Sequence, residues 1–275
     1  MVTGASRGIG KATALALAEA GFDLVLAARS ISANHRAEEN VLGADGKPLP
    51  GTLEETEAEV RSLGREALSV PLDLLDRDSI DSAIAAAIST FGHIDVIVNN
   101  AMYQGPGLMA DFLSGDFDGL EKTFYANVLS QVYIVRALLP NMLERQSGIV
   151  VNLTSAAGMV DPPLKLAQGG WGFAHGATKA ALHRMAGYVH REYGDQGIRA
   201  YNLEPGLVRS ESMMAVLGEV SELEKTGVKS APCSVPAAVI RWLCTQPEAE
   251  SMSGENIFAQ PFCKEKQLVP GWPEA

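Results

Sequence analysis

Short apolar runs rich in β-branched residues alternate with alanine-rich stretches along most of the chain. Parallel strands joined by crossover helices produce this alternation, and strands covered on both faces are nearly continuous apolar runs. The predicted strands are Asp23–Ala27, Glu66–Leu72, Ile94–Val98, Gly148–Leu153, Ile198–Leu203 and Asn256–Ala259. The predicted helices are Gly8–Ala20, Leu53–Leu63, Asp78–Thr90, Leu120–Arg145, Gly176–Tyr193 and Val235–Thr245. The pattern predicts an α/β fold, a doubly wound parallel sheet in three layers.

Nothing in the sequence divides the chain into separate domains. No Pro- or Ser-rich linker interrupts its 275 residues, and no repeat is visible beyond the strand–helix unit. A chain of this length can bury a large core without disulfides or structural metals. We therefore expect residues 1–275 to form a single domain.

Three segments depart from the regular alternation. Ser30–Gly51 and Val160–Phe173 are long connections, which are either functional loops or tolerated insertions. Thr52 and Glu55, directly after the first connection, have capping-box spacing and predict a helix start.

Only two residues precede the first glycine-rich turn, whereas a central strand has about five. We expect either a truncated first strand or a true start upstream of residue 1.

The composition excludes several classes of partner. The formal net charge is −11 and the pI is about 4.9, whereas surfaces that bind nucleic acid or anionic lipid need clustered Lys and Arg. No apolar run is long enough to predict a membrane span, and the first residues lack the order of a signal peptide. Cys233, Cys244 and Cys263 lack metal-ligand spacing, which is typical of reduced thiols. We expect a cytoplasmic protein without a bound metal.

A glycine-rich turn, TGASRGIG, leads into the first predicted helix and has glycines at positions 4, 8 and 10. Glycine lets the backbone turn sharply after a strand and brings a helix N-terminus close to a phosphate. Dinucleotide sites need this turn at the start of a strand–helix–strand unit, which is its position here. The turn therefore predicts a nucleotide site in a Rossmann-like fold.

The glycine spacing resembles the TGxxxGxG turn of the short-chain dehydrogenase/reductase superfamily. Further matches follow in the family's order: Asp73 after the third strand, Asn99-Asn100-Ala101 after the fourth, Asn127 in the long helix, Ser155 after the fifth, Lys179 as the Lys of YxxxK, and Pro205-Gly206 after the sixth. Met102 stands where the family usually has glycine. The resemblance runs from residue 3 to about residue 260. It implies an oxidoreductase that interconverts a carbonyl and an alcohol, assembled as a homodimer or homotetramer.

The resemblance also assigns a set of cofactor-binding residues. They are Gly4, Ser6, Arg7, Gly8, Ile9, Gly10, Arg29, Asp73, Leu74, Asn100, Ala101, Lys179, Pro205, Gly206 and Val208. A carboxylate at the end of the second strand would bind a ribose 2′-hydroxyl, but Arg29 stands there, and Arg7 lies in the glycine turn. Because guanidinium groups suit a phosphate dianion, NADP(H) is the expected cofactor. The alternative is that both arginines are solvated surface charges.

The implied catalytic residues are Asn127, Ser155, His175 and Lys179, and one of them departs from the family. In the family, a Tyr four residues before the Lys exchanges a proton with the substrate oxygen, a Ser orients the carbonyl, and an Asn completes a water relay. His175 holds the Tyr position here. Imidazole titrates near pH 6.5 and phenol near pH 10, and a neighbouring ammonium pushes imidazole toward its neutral form. His175 is therefore a weaker acid but has the form required of a base in alcohol oxidation.

His175 leaves three hypotheses open. The chain is a working enzyme with altered chemistry, a protein that binds NADP(H) with little turnover, or a variant or sequencing error in place of Tyr. Turnover by the native chain and by a His175→Tyr variant distinguishes the first two.

Apolar side chains expected near the carboxyl ends of the strands indicate a hydrophobic ketone or alcohol as the substrate. They are Met102, Tyr103, Met159, Trp171, Phe173, Met213, Met214 and Leu217. The alternative is that these side chains only pack the loops against one another. Lys225 and Lys229 leave a coenzyme A or carrier-protein partner open.

Overall fold

A computed structural model describes residues 1–32, 48–217 and 229–273. Its strands, β1 to β7, are Val2–Thr3, Leu24–Ala28, Ala67–Pro71, Val96–Asn99, Gly148–Leu153, Ile198–Glu204 and Asn256–Phe258. Within the described ranges the helices, α1 to α9, are Gly8–Glu19, Leu53–Ser62, Arg77–Phe91, Phe117–Phe124, Ser130–Glu144, Phe173–Tyr193, Glu211–Leu217, Ser234–Thr245 and Ala259–Lys266. The strands form one parallel sheet in the order β3-β2-β1-β4-β5-β6-β7. The predicted doubly wound, Rossmann-like sheet is confirmed.

Two apolar cores lie on opposite faces of the sheet, because successive strand side chains point to opposite sides. Leu24 and Leu26 pack in the core that contains Leu17 of α1. Val25 and Ala27 belong to the other core. Helices α1, α2 and α8 contribute to the first core, and α3, α5 and α6 contribute to the second. The three predicted layers follow from this alternation.

The first strand is short but central. Val2 is fully buried and pairs with Leu26 of β2 on one side and Val98 of β4 on the other. The sheet order reverses between β1 and β4, and ligand clefts form at such a switch point beyond the carboxyl ends of the strands.

The long predicted helix Leu120–Arg145 begins earlier and is not uniform. Asp116 accepts hydrogen bonds from the backbone nitrogens of Asp118 and Gly119, so it caps α4 three residues before the predicted start. A π-helical turn, Tyr125–Leu129, separates α4 from α5. No local pattern in the sequence marks this turn, and π turns are often found at functional sites.

Other element boundaries differ from the prediction by a few residues. Helix α6 begins at Phe173 instead of Gly176, and the connection before it contains a short 3-10 turn, Leu166–Gln168. The predicted strand Asn256–Ala259 ends one residue early because Ala259 starts α9. Helices α7 and α9 were not predicted; they are only 7 and 8 residues long.

The predicted helix start after the first long connection is confirmed, since Thr52 Oγ1 accepts a hydrogen bond from the Glu55 nitrogen at 3.2 Å. Residues 33–47 of that connection and Lys225 lie outside the described ranges. Cys233, Cys244 and Cys263 are free thiols. Among the described helices, none combines the length and the apolar character that crossing a membrane requires.

Candidate functional site

A cleft of about 300 Å³ opens beyond the carboxyl ends of the central strands. Most of the predicted cofactor residues line it: Gly4, Ser6, Arg7, Gly8, Ile9, Arg29, Asp73, Leu74, Asn100, Ala101, Lys179, Pro205 and Gly206. Gly10 and Val208 do not line it; Val208 is buried and pairs with Ala231. The fold therefore brings together residues that are far apart in the sequence, such as Gly4 and Gly206.

Two of the glycines in the turn, Gly4 and Gly10, have no room for a side chain. Gly4 and Gly8 have φ of +68° and +58°, in the left-handed region that favours glycine. A Cβ on Gly10 would lie 2.1 Å from the carbonyl oxygen of Gly4, so the start of α1 packs directly against the turn. Arg7 stands at the N-cap position of α1, but its side chain makes no capping hydrogen bond to the first turn of the helix. The first backbone N–H groups of α1 are thus the donors that face an anion in such a turn.

The end of β4 is joined to the glycine turn by polar contacts. Asn100 Nδ2 donates to the carbonyl oxygens of Thr3 at 2.8 Å and Gly4 at 3.2 Å. Thr3 Oγ1 accepts from the backbone nitrogens of Asn100 and Ala101. These contacts fix the glycine turn relative to the floor of the cleft.

Two arginines and one carboxylate line the same end of the sheet. Arg7 Nη2 donates to the carbonyl oxygen of Gly51 at 3.2 Å, and Arg29 follows β2. Asp73 Oδ1 accepts from the backbone nitrogen of Leu75 at 2.9 Å, which stabilises the turn after β3. No carboxylate follows β2 within the described residues that line the cleft.

Ser155, His175 and Lys179 line the cleft together. Lys179 is buried and its Nζ donates to the carbonyl oxygen of Leu153 at 2.7 Å. Burial lowers the pKa of Lys179 to about 8. Burial and the nearby Lys179 ammonium lower the pKa of His175 to about 4. His175 is therefore neutral at pH 7.

Several buried polar atoms of the cleft residues have no hydrogen-bond partner among the described residues. They are Nδ1 of His175, Oγ1 of Thr154 and Oε1 of Gln104. Buried polar groups are normally paired, so these atoms are candidates for hydrogen bonds to a bound ligand or water. Thr154 directly follows the predicted strand Gly148–Leu153, whereas no sequence signal singled out Gln104.

Asn127 lies behind the cleft and does not line it. It belongs to the π-helical turn, where its Oδ1 accepts from the backbone nitrogen of Tyr103 at 2.7 Å and its Nδ2 donates to the carbonyl oxygen of Tyr103 at 3.2 Å. Both backbone groups of Tyr103 are thereby held by one side chain. The direct role of Asn127 seen here is to fix the Tyr103 segment of the cleft wall.

Only part of the predicted apolar substrate wall lines the cleft. Met102, Tyr103 and Met213 line it, and Met159, Trp171, Phe173 and Met214 do not. Phe173 is instead half exposed and packs edge-on against Phe112, with ring centroids 5.5 Å apart. The side chain of Leu217 lies outside the described part of the chain. Ser210 and Ser212, from the turn before α7 and from α7, add polar groups to the same wall.

A sequence model of the short chain dehydrogenase family matches residues 1–49 and 47–220. The chain is 31% identical over 277 residues to dehydrogenase/reductase SDR family member 7 of Homo sapiens, covering 98% of this chain and 74% of the human protein. It is 29% identical over 258 residues to a 3-oxoacyl-(acyl-carrier-protein) reductase of Synechocystis, covering 94% and 93% of the two chains.

Solved structures show the same similarity. Acetoin dehydrogenase from Enterobacter cloacae is 26% identical, with a TM-score of 0.72 and coverage of 94% of this chain and 92% of the other. YwfH, an NADPH-dependent reductase involved in bacilysin biosynthesis, has a TM-score of 0.77 over 94% of each chain at 20% identity, a likeness of fold alone.

Proposed function

The chain belongs to the short-chain dehydrogenase family, and on that premise we propose that it is an NADP(H)-dependent oxidoreductase that interconverts an alcohol and a ketone or aldehyde on a hydrophobic small molecule. The observation that carries the proposal is that one cleft is lined by the glycine turn, by Arg7 and Arg29, and by Ser155, His175 and Lys179. Such a cleft combines groups suited to a phosphorylated nucleotide with groups suited to proton transfer.

The residues present fit a dinucleotide. The absence of space for a Cβ on Gly4 or Gly10 leaves the backbone free to approach a pyrophosphate at the N-terminus of α1. The proposed contacts are Gly4, Ser6, Gly8 and Ile9 for the pyrophosphate, Arg7 and Arg29 for a ribose 2′-phosphate, Asp73 and Leu74 for the adenine, and Asn100, Ala101, Lys179, Pro205 and Gly206 for the nicotinamide half. When bound, NADP(H) supplies hydride exchange.

His175 is proposed to occupy the position of the family's catalytic Tyr and to act as the base. Its pKa of about 4 keeps the imidazole neutral at pH 7, so a ring nitrogen has a lone pair for the proton of a substrate hydroxyl. The same low pKa makes it a weak base, because Lys179 disfavours the imidazolium that forms. Ser155 is proposed to orient the substrate oxygen, and Asn127 to hold the Tyr103 segment beside it.

The low pKa of His175 also favours a second candidate function. Above about pH 5 the neutral ring has no extra proton to give to a carbonyl, which leaves carbonyl reduction without its acid. The alternative is therefore a catalytically weak or silent NADP(H)-binding protein.

Three variants separate the two functions. We expect His175→Phe to lower the rate of alcohol oxidation by about 10²-fold, because it removes the base. His175→Tyr should raise carbonyl reduction, and His190→Phe, on an exposed part of the same helix, serves as the control. Turnover that appears only in His175→Tyr would support the silent protein and overturn the enzyme. No stabilisation of the native chain by NADPH in a thermal-shift assay would overturn both.

Cofactor preference is tested separately by titrating NADPH and NADH. Arg29→Ala should weaken NADPH binding by about 10-fold or more and leave NADH binding nearly unchanged, because a charge-assisted hydrogen bond contributes about 1.5–3 kcal/mol. Arg136→Ala, an exposed arginine on α5, is the matched control. Little loss of affinity for either cofactor would point to NAD(H), and equal losses for both would point to a purely structural Arg29.

The remaining proposals rest on the resemblance and on composition. We propose one domain over residues 1–275, a homodimer or homotetramer, and a cytoplasmic location in keeping with three free thiols. Met102, Tyr103 and Met213 support a hydrophobic substrate, and no nucleic-acid or membrane partner is proposed for a chain of net charge −11.

A further inference from the structure

Two side chains outside the proposed catalytic set contact the same peptide bond, which joins Ser155 to Ala156. Nε2 of His183 lies 3.0 Å from the carbonyl oxygen of Ser155. Oε1 of Glu204 accepts from the backbone nitrogen of Ala156 at 3.4 Å. Since a carbonyl oxygen only accepts, Nε2 carries the proton and donates. One peptide plane is thus held at its oxygen from α6 and at its hydrogen from the end of β6.

His183 lies at the end of a row of asparagines, which we term the asparagine ladder: Asn99, Asn152, Asn202 and Asn256. They are direct partners in the register of β4, β5, β6 and β7. Their side-chain amides are joined by hydrogen bonds of 2.9, 3.1 and 2.8 Å. Oδ1 of Asn256 lies 3.1 Å from Nδ1 of His183, but in a neutral ring with its proton on Nε2 both of these atoms are acceptors. The ladder holds α6 through the backbone instead, because Nδ2 of Asn202 donates to the carbonyl oxygen of His183 at 2.6 Å.

Glu204 also contacts the turn that follows β6. Its side chain is buried, with 9% of the residue exposed, and its Oε1 accepts a second hydrogen bond, from the Gly206 nitrogen at 2.9 Å. Pro205 and Gly206 line the cleft on the side proposed for the nicotinamide half. One carboxylate oxygen therefore connects that turn to the peptide after Ser155.

The direction of the Ser155 side chain depends on this peptide. Ser155 Oγ accepts from the backbone nitrogen of Ala157 at 3.2 Å. A rotation of the Ser155–Ala156 peptide would shift this nitrogen relative to Oγ and so change the direction of the hydroxyl. Small displacements of a group that orients a substrate cost rate much more than binding. We propose that His183 and Glu204 are positioning residues that hold Ser155 in its reactive orientation; the proposal rests on the function proposed above.

Isosteric variants of His183 test the contact. The amide nitrogen of Gln reaches the position of Nε2, whereas that of Asn reaches only the position of Nδ1. His183→Asn should lower kcat on the order of 10-fold with little change in KM or in NADPH affinity, and His183→Gln should restore most of the loss. His190→Asn, exposed on the same helix, is the control. A structural defect alone would lower the amount of folded enzyme and would not be rescued by Gln.

Glu204 is tested in the same way. Glu204→Gln keeps an oxygen that can accept both backbone hydrogen bonds, and Glu204→Leu removes it. We expect Glu204→Leu to lower kcat and to speed amide hydrogen exchange in the peptide that contains residues 154–158, and Glu204→Gln to resemble the native chain. His183→Asn should show the same faster exchange, because the same peptide is released.

The kinetic measurements are repeated in the His175→Tyr background, so that a silent native protein does not hide the effect. Turnover with unchanged kcat and unchanged exchange in His183→Asn and Glu204→Leu would overturn the positioning role and leave the proposed function intact. No turnover in either background would overturn the proposed function and, with it, the role in catalysis. The exchange rates then decide independently whether the two side chains hold the peptide.

Discussion

Two effects lower the pKa of His175. Burial disfavours the charged imidazolium, and the ammonium of Lys179, four residues later on the same helix face, disfavours it further. The spacing of the two residues predicts that they are neighbours. The extent of burial, which is the larger cause, follows from the packing of α6 against the end of β5. The protonation behaviour of this residue is therefore a property of the folded chain.

This behaviour predicts a pH dependence of stability. Between about pH 6.5 and pH 4 the unfolded chain binds a proton at His175 that the folded chain does not, so the free energy of unfolding falls as the pH drops through this window. The loss is at most about 3 kcal/mol. His175→Asn should lack this part of the loss in urea denaturation at pH 7, 5 and 4. Parallel curves for His175→Asn and the native chain would contradict the low pKa of His175.

Among the elements, the π-helical turn between α4 and α5 determines one wall of the cleft. It turns Asn127 toward the backbone of Tyr103 and away from the cleft lining. The helix face of Asn127 could be predicted from periodicity, but a π turn shifts every later residue by one position relative to an α-helix. The contact between Asn127 and Tyr103 therefore does not follow from the periodicity of a regular helix.

Asn127→Ala should destabilise the fold by about 2–4 kcal/mol, because it removes two hydrogen bonds from buried backbone groups. Asn141→Ala is the matched control on α5, since Oδ1 of Asn141 finds no partner among the described residues. We expect the control to lose less than about 1 kcal/mol in urea denaturation. Equal losses would mean that the contacts to Tyr103 contribute nothing to stability.

Across the molecule, the asparagine ladder crosses four of the seven strands. Asn99, Asn152 and Asn202 are almost completely buried. Their amides satisfy one another only if three strand pairs have the correct register, because a slip of one residue turns a strand side chain to the other face. The ladder thus ties the register of half the sheet to the backbone of His183, whose carbonyl oxygen accepts from Nδ2 of Asn202 at 2.6 Å.

Asn152→Leu should destabilise the chain by about 3 kcal/mol, since it leaves the amides of Asn99 and Asn202 without their partner in the interior. Combining it with Asn99→Leu should cost less than the sum of the two single variants, because one of the unpaired groups is then gone. A double-variant cycle in urea denaturation measures the coupling. Strictly additive losses would show that the two amides do not interact.

Much of the fold and part of the site could be predicted from local patterns. Apolar alternation indicated which strand residues are buried, and the glycines indicated a tight turn, in which Gly4 and Gly10 have no room for a Cβ. The predicted positions of Trp171 and Phe173 near the substrate were less successful, since neither lines the cleft. Loop side chains have no periodicity that fixes their direction, so their placement depends on what they meet in three dimensions.

The layered sheet, the glycine turn at its switch point and the position of His175 one helical turn before Lys179 can all be read from the amino-acid sequence. They follow from short-range geometry, in which periodicity and glycine content set the backbone path and the buried face. The contact of Asn127 with Tyr103, and the meeting of His183 and Glu204 at the peptide after Ser155, emerge only in the folded chain. Contacts between residues so far apart along the chain depend on strand order and helix packing, which no local pattern encodes.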